Sequence, residues 1–455
     1  MMEIERELVR NLIKIKYEDL PEAVVEMAKM TILDTLGALI GGAGAEGCLP
    51  LVNQLRQWAG VQESTILIYG GKVPCPNAGF ANSVMARALE LDSPRAPGIH
   101  VSASTVPVSI AAAEKCGPVD GKEFITSIVL GEDFTARVNN AVSSYRGFDP
   151  SGVCTVLGAT ATAGRILGLD EQKMWNALAI AFNRSAGSFH GNIEGALTVR
   201  LIQGLTSRSG IESALISMAG ITGGRNFLVG KWGFFDLFSD GQFNREAITA
   251  QLGKRFEGAY GVTFKRYPSC GATLSATEAT LGLVHKYDIK PDDVDEVTVE
   301  LPPFYYDLVG HKFRIGDNPT VDAQFSIQYV VANSILRRRS TPYDFEKESV
   351  EDPEVIGLTK RVHAVSRSSL KKIGRRATVV SIKMRTGKIH SKTIVAPLGA
   401  ADNPLTMEDL IKKFRDCANY ATVPLAGKKI DGIIEMINSL EKMKDIGELV
   451  RLLVP

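Results

Sequence analysis

From about Glu22 to Ala250 the apolar positions recur at helical spacing. The stretch PEAVVEMAKMTILDTLGALIGG predicts a helix with Pro21 in its opening turn and a glycine pair at its end. ANSVMARALEL, STVPVSIAAAEKCG, GKEFITSIVLGEDFTARVNNAV, VLGATATAGRILGL, DEQKMWNALAIAFNRSAG and GLTSRSGIESALISMAGITG repeat the theme. Ala, Gly and Ser are abundant on their apolar faces. Small side chains let helix axes approach closely, which predicts a dense and mostly buried bundle.

After about residue 285 the period changes. VDEVTVELP, Val294 to Pro302, alternates as a strand does, and RATVVSIKMRTGKIHSKTIVAP reads as two β-rich runs joined at a TGK hairpin. DAQFSIQYVVANSILRRR and DPEVIGLTKRVHAV, between them, read as helices. TMEDLIKKFRDCANY and KIDGIIEMINSLEKMKDIGELVRLL return to helical spacing. The fold class that follows is mainly α: a large all-helical domain, residues 1–266 plus 402–455, with a smaller inserted α+β domain at 267–401.

Composition narrows the function. The 455 residues are too many for one compact core. Apolar residues make up 45%, charged residues 23%, and the formal net charge is +1, so nothing global recruits nucleic acid or an anionic membrane. The basic runs Arg337–Arg339, Lys371-Lys372 and Arg375-Arg376 lack interleaved aromatics and read as solvated faces. MAKMTILDTLGALIGGAGA carries Lys29 and Asp34 and falls short of a membrane span; the first twenty residues lack a signal-peptide profile. No two of the six cysteines stand at CxxC spacing, which predicts reduced thiols and a cytoplasmic protein. His285, His311, His363 and His390 show no metal-ligand spacing, and there is neither a P-loop nor HExxH.

Three stretches could carry chemistry. In ALELDSPRAPGIHVSAS a helix ends near Leu91, and Asp92, Arg95 and His100 fall in a Pro/Gly loop. Asp92 could orient His100 as a base or acid near neutral pH; a turn cap and a surface histidine fit the same spacing. In GALTVRLIQGLTSRSG, Arg200 is a lone cation among small residues, suited to a carboxylate or to a structural pairing with Glu194. In KRYPSCGATLSATEA, Lys265, Arg266, Tyr267 and Cys270 gather ahead of a helix start near Thr273. A helix N-terminus beside two cations suits an anion; a solvated linker with a buried thiol suits the pattern as well.

Together these stretches resemble the MmgE/PrpD family. LELDSPRAPGIHVSAS is similar to its D-x-D-D-T…H-P-S loop, GFDPSGVCTVLGATATAGRILGLD to its G-[FW]-H-P-[TS]-G-V segment, and LTVRLIQGLTSRSGIESALI to its T-K-R-L-H-x-G…S-G segment. FKRYPSCGATLSATEA resembles its K-x-Y-P-S-C-x-x-T-H turn; VDAQFSIQYVVANSIL and NPLTMEDLIKKF match two further stretches. The resemblance implies a helical domain with an inserted α+β domain, a homodimer, an interdomain active site, and chemistry on a small carboxylate without metal or organic cofactor. It places Asp92 and His100 in the family loop, with Ser93 where a second acid is usual, and Lys265 and Cys270 in the turn. Val199, Leu274 and Asp149 stand where the family has Lys, His and His.

The family's reactions share proton transfer at a carbon next to a carboxylate, whose transition state needs nearby cations. The expected catalytic set is His100, Asp92, Lys265 and Tyr267. Arg200, Arg95, Arg266, Ser102, Cys270 and His190 are the expected substrate contacts. The expected activity is a cofactor-independent lyase, of the hydro-lyase kind, on a small di- or tricarboxylate. An isomerase or epimerase of a related acid, and a carboxylate-binding member without catalysis, are the alternatives.

Overall fold

The computed structural model describes residues 3–96, 98–143 and 147–455. Helices dominate it, as the sequence predicts. The elements that position the site are α1 (Glu22–Gly42), α2 (Cys75–Arg87), α3 (Ser102–Cys116), α4 (Gly121–Ala141), α5 (Pro150–Ile166), α6 (Thr198–Met218), α7 (Leu274–Tyr287), α8 (Ile327–Arg337) and α9 (Met407–Tyr420). The α1 helix has Pro21 at its N-cap, one residue from the predicted start, and ends with the predicted glycine pair at Gly42. Asp120 and Asp149 cap α4 and α5, each accepting a backbone N–H at 2.8 Å from Glu123 and Ser151.

Small residues set the helix spacing. A Cβ on Gly131 of α4 would lie 2.7 Å from the Gly158 carbonyl oxygen of α5, and one on Gly158 would lie 2.5 Å from the Gly131 carbonyl oxygen. The two helices therefore touch backbone to backbone, and no larger residue fits at either position without moving an axis.

One buried apolar cluster joins residues between Ile4 and Phe264 to Leu405–Leu453 of the tail. A second gathers Cys270–Ile382 and takes Val199 from α6. The second cluster covers one face of a four-stranded sheet made of β1 (Val294–Leu301), β2 (Val362–Ser366), β3 (Thr378–Met384) and β4 (Ile389–Ile394), in the order β2-β1-β3-β4. The β1 and β2 strands are parallel; β3 is antiparallel to both β1 and β4. The β3–β4 turn falls at the predicted TGK, with Gly387 in the left-handed region at φ +86°.

Two stretches differ from the helical expectation. DPEVIGLTKRVHAV is helical only over Pro353–Thr359; its VHAV becomes β2, because Val297–Leu301 offers a free edge in register with Val362–Ser366. DAQFSIQYVVANSILRRR breaks at Phe325, where Ser326 caps α8 by accepting from Tyr329 N at 3.2 Å.

The two chain crossings between the clusters run side by side. Phe264 N donates to Gly399 O at 2.9 Å, and Thr263 N donates to Pro94 O at 2.9 Å. Lys265 and its turn thereby lie against the 90–100 loop.

Candidate active site

The site begins at the last turn of α2, which carries the buried Arg87. Beyond it the chain folds back through Glu90, whose φ is +54°, a conformation uncommon for a residue with a side chain. That turn brings Glu90 and Asp92 back towards Arg87. The guanidinium contacts Glu90 Oε1, and its NH1 lies 3.4 Å from Asp92 Oδ1. Glu90 Oε2 accepts from Lys265 Nζ at 2.6 Å, and Asp92 Oδ2 lies 2.7 Å from His100 Nδ1. The result is a continuous buried chain: Lys265, Glu90, Arg87, Asp92, His100. Lys265 is fully buried, whereas the His100 side chain keeps 13% of its surface exposed.

Each shifted group responds to this network. Burial alone would raise the Asp92 carboxyl, but His100 and Arg87 outweigh it and hold it below the ordinary carboxylate range. Glu90 is lowered too: Arg87 and Lys265 overcome its burial. His100 is lowered, chiefly by burial, with Arg87 and Lys265 adding to the effect and Asp92 opposing it. An ionised Asp92 accepts a hydrogen bond from Nδ1–H of a neutral His100. Nε2 is then the free acceptor, the arrangement a general base requires.

The loop is held from several sides. His100 N donates to Ser151 Oγ at 3.2 Å, and His100 O accepts from Gln203 Nε2 at 3.3 Å. Lys413 of α9 donates to Asp34 Oδ1 at 2.6 Å and to Leu91 O at 2.7 Å. Gln324, ahead of α8, reaches Leu89 O with its side chain at 3.1 Å, while its carbonyl accepts from Cys270 N at 2.9 Å. One glutamine thus ties the turn before Glu90 to the turn after Lys265. Asp149, the α5 cap, is pushed up to about 6 by burial, against its bond to Ser151 and the nearby Arg87.

The other predicted site residues occupy distinct surroundings. Arg200 is buried, and its NH1 donates to Glu46 O at 2.5 Å. Its Nε has no partner, and no carboxylate pairs with it among the described residues. Cys270 lies within electrostatic reach of Glu90 and Lys265, and burial pushes its thiol up to about 11, so it is protonated. Tyr267 is buried, which pushes its phenol up to about 12. Arg95 donates to Glu257 O at 2.9 Å, Ala96 O at 2.6 Å and Asn140 Oδ1 at 3.1 Å. Ser102 is buried beside Glu132. Arg266 and His190 are exposed. Val199 and Leu274 are buried and apolar.

Arg87 and Glu90 are the members that sequence reasoning missed. Their signal is faint: a lone cation at a helix end, three residues before an acid and five before another. Nothing local shows that Lys265, 175 positions from Glu90, completes the pair.

A mainly helical chain with a smaller sheet-bearing part, and a His–Asp pair joined to a buried arginine and lysine, defines a class of protein that comparison can name. The chain belongs to the MmgE/PrpD family: the family model of the MmgE/PrpD N-terminal domain matches residues 6–246, and that of the MmgE/PrpD C-terminal domain matches residues 267–438. Cis-aconitate decarboxylase of Homo sapiens is 26% identical over 457 residues, covering 96% of this chain and 92% of that protein. The 2-methylcitrate dehydratase of Salmonella typhi is 24% identical over 382 residues (76% of this chain, 74% of that protein), and that of Cupriavidus necator is 24% identical over 449 residues (88% and 87%).

Proposed function

We propose that this protein is a lyase of the hydro-lyase kind that acts on a small di- or tricarboxylate by moving a proton at a carbon next to a carboxylate, without a metal or organic cofactor. The observation that carries the reading is the 2.7 Å His100–Asp92 contact at the end of a buried ionic chain. Neutral His100 takes the proton through Nε2, and Asp92 stabilises the imidazolium that results. Arg200, whose Nε lacks a partner, holds a substrate carboxylate. Lys265, paired with Glu90, holds the turn that carries Asp92 against the second part of the chain. The relatives' names, a dehydratase and a decarboxylase, support a lyase.

Val199 and Leu274 weigh against the epimerase alternative. Inversion needs a proton carrier on each face of the carbon, and these two positions offer buried apolar groups. The test is to incubate the protein with citrate, 2-methylcitrate, cis-aconitate and malate in deuterated water, following product and isotope by NMR. Loss or gain of water supports the reading. Inversion with exchange identifies an isomerase, and binding without exchange a non-catalytic protein.

The division into a helical domain, 1–266 with 402–455, and an α+β domain at 267–401 is part of the same proposal, supported by the two separate apolar clusters. So are a cytoplasmic setting and a homodimer. No helix among the described residues is long and apolar enough to cross a membrane. Leu205 and Met218 on α6, with Ile221 beyond it, are exposed apolar groups suited to a second copy. Sedimentation of the wild type against Leu205→Glu tests this assembly.

A further inference from the structure

The proposed reaction concentrates negative charge, so the cations still free to meet it decide which acids fit. Lys265 is spent on Glu90, Arg87 on Glu90 and Asp92, and Arg95 on carbonyl oxygens with Glu257 alongside. Arg266 points to solvent. Two guanidinium groups near the cluster have no carboxylate partner among the described residues. One is Arg200. The other is Arg376, which the sequence reads as part of a solvated basic run.

Arg376 does not extend into solvent. It is half-buried, and its NH1 donates to the hydroxyl of the buried Thr263, two residues before Lys265. Its own carbonyl accepts from Ser275 Oγ at 2.9 Å, which pins the backbone to the first turn of α7. Its side chain also lies near the phenol of Tyr305, which is within electrostatic reach of Cys270. Cys270 in turn is within reach of Glu90 and Lys265, and Arg200 is within reach of Glu90 and Arg87. The two unpaired guanidinium groups therefore approach the Glu90–Lys265 pair by different neighbours, Arg200 directly and Arg376 through Thr263, Tyr305 and Cys270. The groups beside Arg376, its partner Thr263 and the nearby Tyr305, are neutral hydroxyls. They fix the orientation of the fork, occupy part of its five donors, and leave its charge uncompensated.

We infer that Arg376 is a second carboxylate anchor of the same site, so that the acid carries at least two carboxylates, one for Arg200 from the helical part and one for Arg376 from the sheet-bearing part. The inference rests on the functional reading above and narrows its substrate to acids that bridge the two parts. Tyr305 and Thr263 are positioning residues for the second anchor.

The test is calorimetric titration of the wild type, Arg376→Met, Arg376→Lys and Arg200→Met with citrate, cis-aconitate and malate, and with butyrate and lactate as one-carboxylate probes. Loss of one charge-assisted fork predicts that Arg376→Met weakens binding of the di- and tricarboxylates by roughly 10- to 100-fold and brings them level with the monocarboxylates, whose binding it leaves alone. Arg376→Lys restores part of the difference, which a folding defect would not show. Arg200→Met weakens both classes. Equal binding of the dicarboxylates by wild type and Arg376→Met overturns this inference alone. A wild type that binds no acid removes the functional reading, and the second anchor with it.

Discussion

Lys265 Nζ lies 2.6 Å from Glu90 Oε2, and both side chains are almost completely buried. The pair links the turn that opens the second apolar cluster to the left-handed residue that closes α2. Its energetics are asymmetric. Removing Lys265 leaves two buried carboxylates, Glu90 and Asp92, to share Arg87, whereas removing the charge of Glu90 as well leaves Arg87 with Asp92. Lys265→Met should therefore destabilise the protein by about 3–5 kcal/mol in urea unfolding, and Lys265→Met with Glu90→Gln should recover part of that loss. A double variant no better than the single one would show that the lysine stem, and not its charge, holds the turn.

His100→Ala should lower turnover of whichever acid proves to be the substrate by about 100- to 10,000-fold, with little change in its binding. The pH dependence follows from the lowered His100 pKa. The base is active when neutral, so kcat/KM should rise with pH through a value below that of an exposed imidazole, about 6.5. Asp92→Asn removes an influence that holds this pKa up, so the acid limb should move to lower pH while the maximum rate falls. A limb that stays in place in Asp92→Asn would detach the 2.7 Å contact from catalysis.

Buried acids beneath the loop predict an unusual stability profile. Burial pushes Glu132 up to about 7, against the nearby hydroxyls of Ser102 and Thr105, and Asp133 up to about 6, against Arg137. A group whose folded pKa is raised stabilises the fold fully below its unfolded pKa, and that contribution is lost as pH rises through the folded value. These two groups and Asp149 should make stability fall between about pH 4 and pH 7. Asp92 and Glu90, with lowered values, act in the opposite sense and lose their contribution only in stronger acid. Melting temperature measured against pH should show the decline, and Glu132→Gln should flatten it.

Gly158→Ala tests the backbone contact between α4 and α5. The added methyl would meet Thr135 Oγ1 and the Gly131 carbonyl oxygen, well inside contact distance. Overpacking of this kind costs about 1–3 kcal/mol, read as a shift in the urea midpoint. An unshifted midpoint would mean that the helices part without strain.

How much of this was legible in the chain depended on range. Period alone placed α1, β1 and the hairpin at Gly387, because each is decided by neighbours within a few residues. VHAV could not be assigned that way: it is a strand only because β1 lies beside it. The contact of Asp92 with His100 was one of two readings of a Pro/Gly loop, and the spacing alone did not choose between them. Glu90 with Lys265, and Arg376 with Thr263, join residues more than a hundred positions apart, and no pattern in the sequence announces either contact. Arg376 was also disguised by its neighbours, since Arg375, Lys371 and Lys372 are exposed and it is not.

The side-by-side crossings at Phe264 and Gly399 set an order of events during synthesis. When residue 400 has been added to a growing chain, every residue of the second cluster is already made, while the first still lacks Leu405 to Leu453. The part begun first is therefore finished last, and its loop around Asp92 waits for Lys413 to reach Asp34 and Leu91. A ribosome-bound chain stopped at residue 400 would carry a complete sheet unit beside an open helical shell whose buried faces are still available to chaperones.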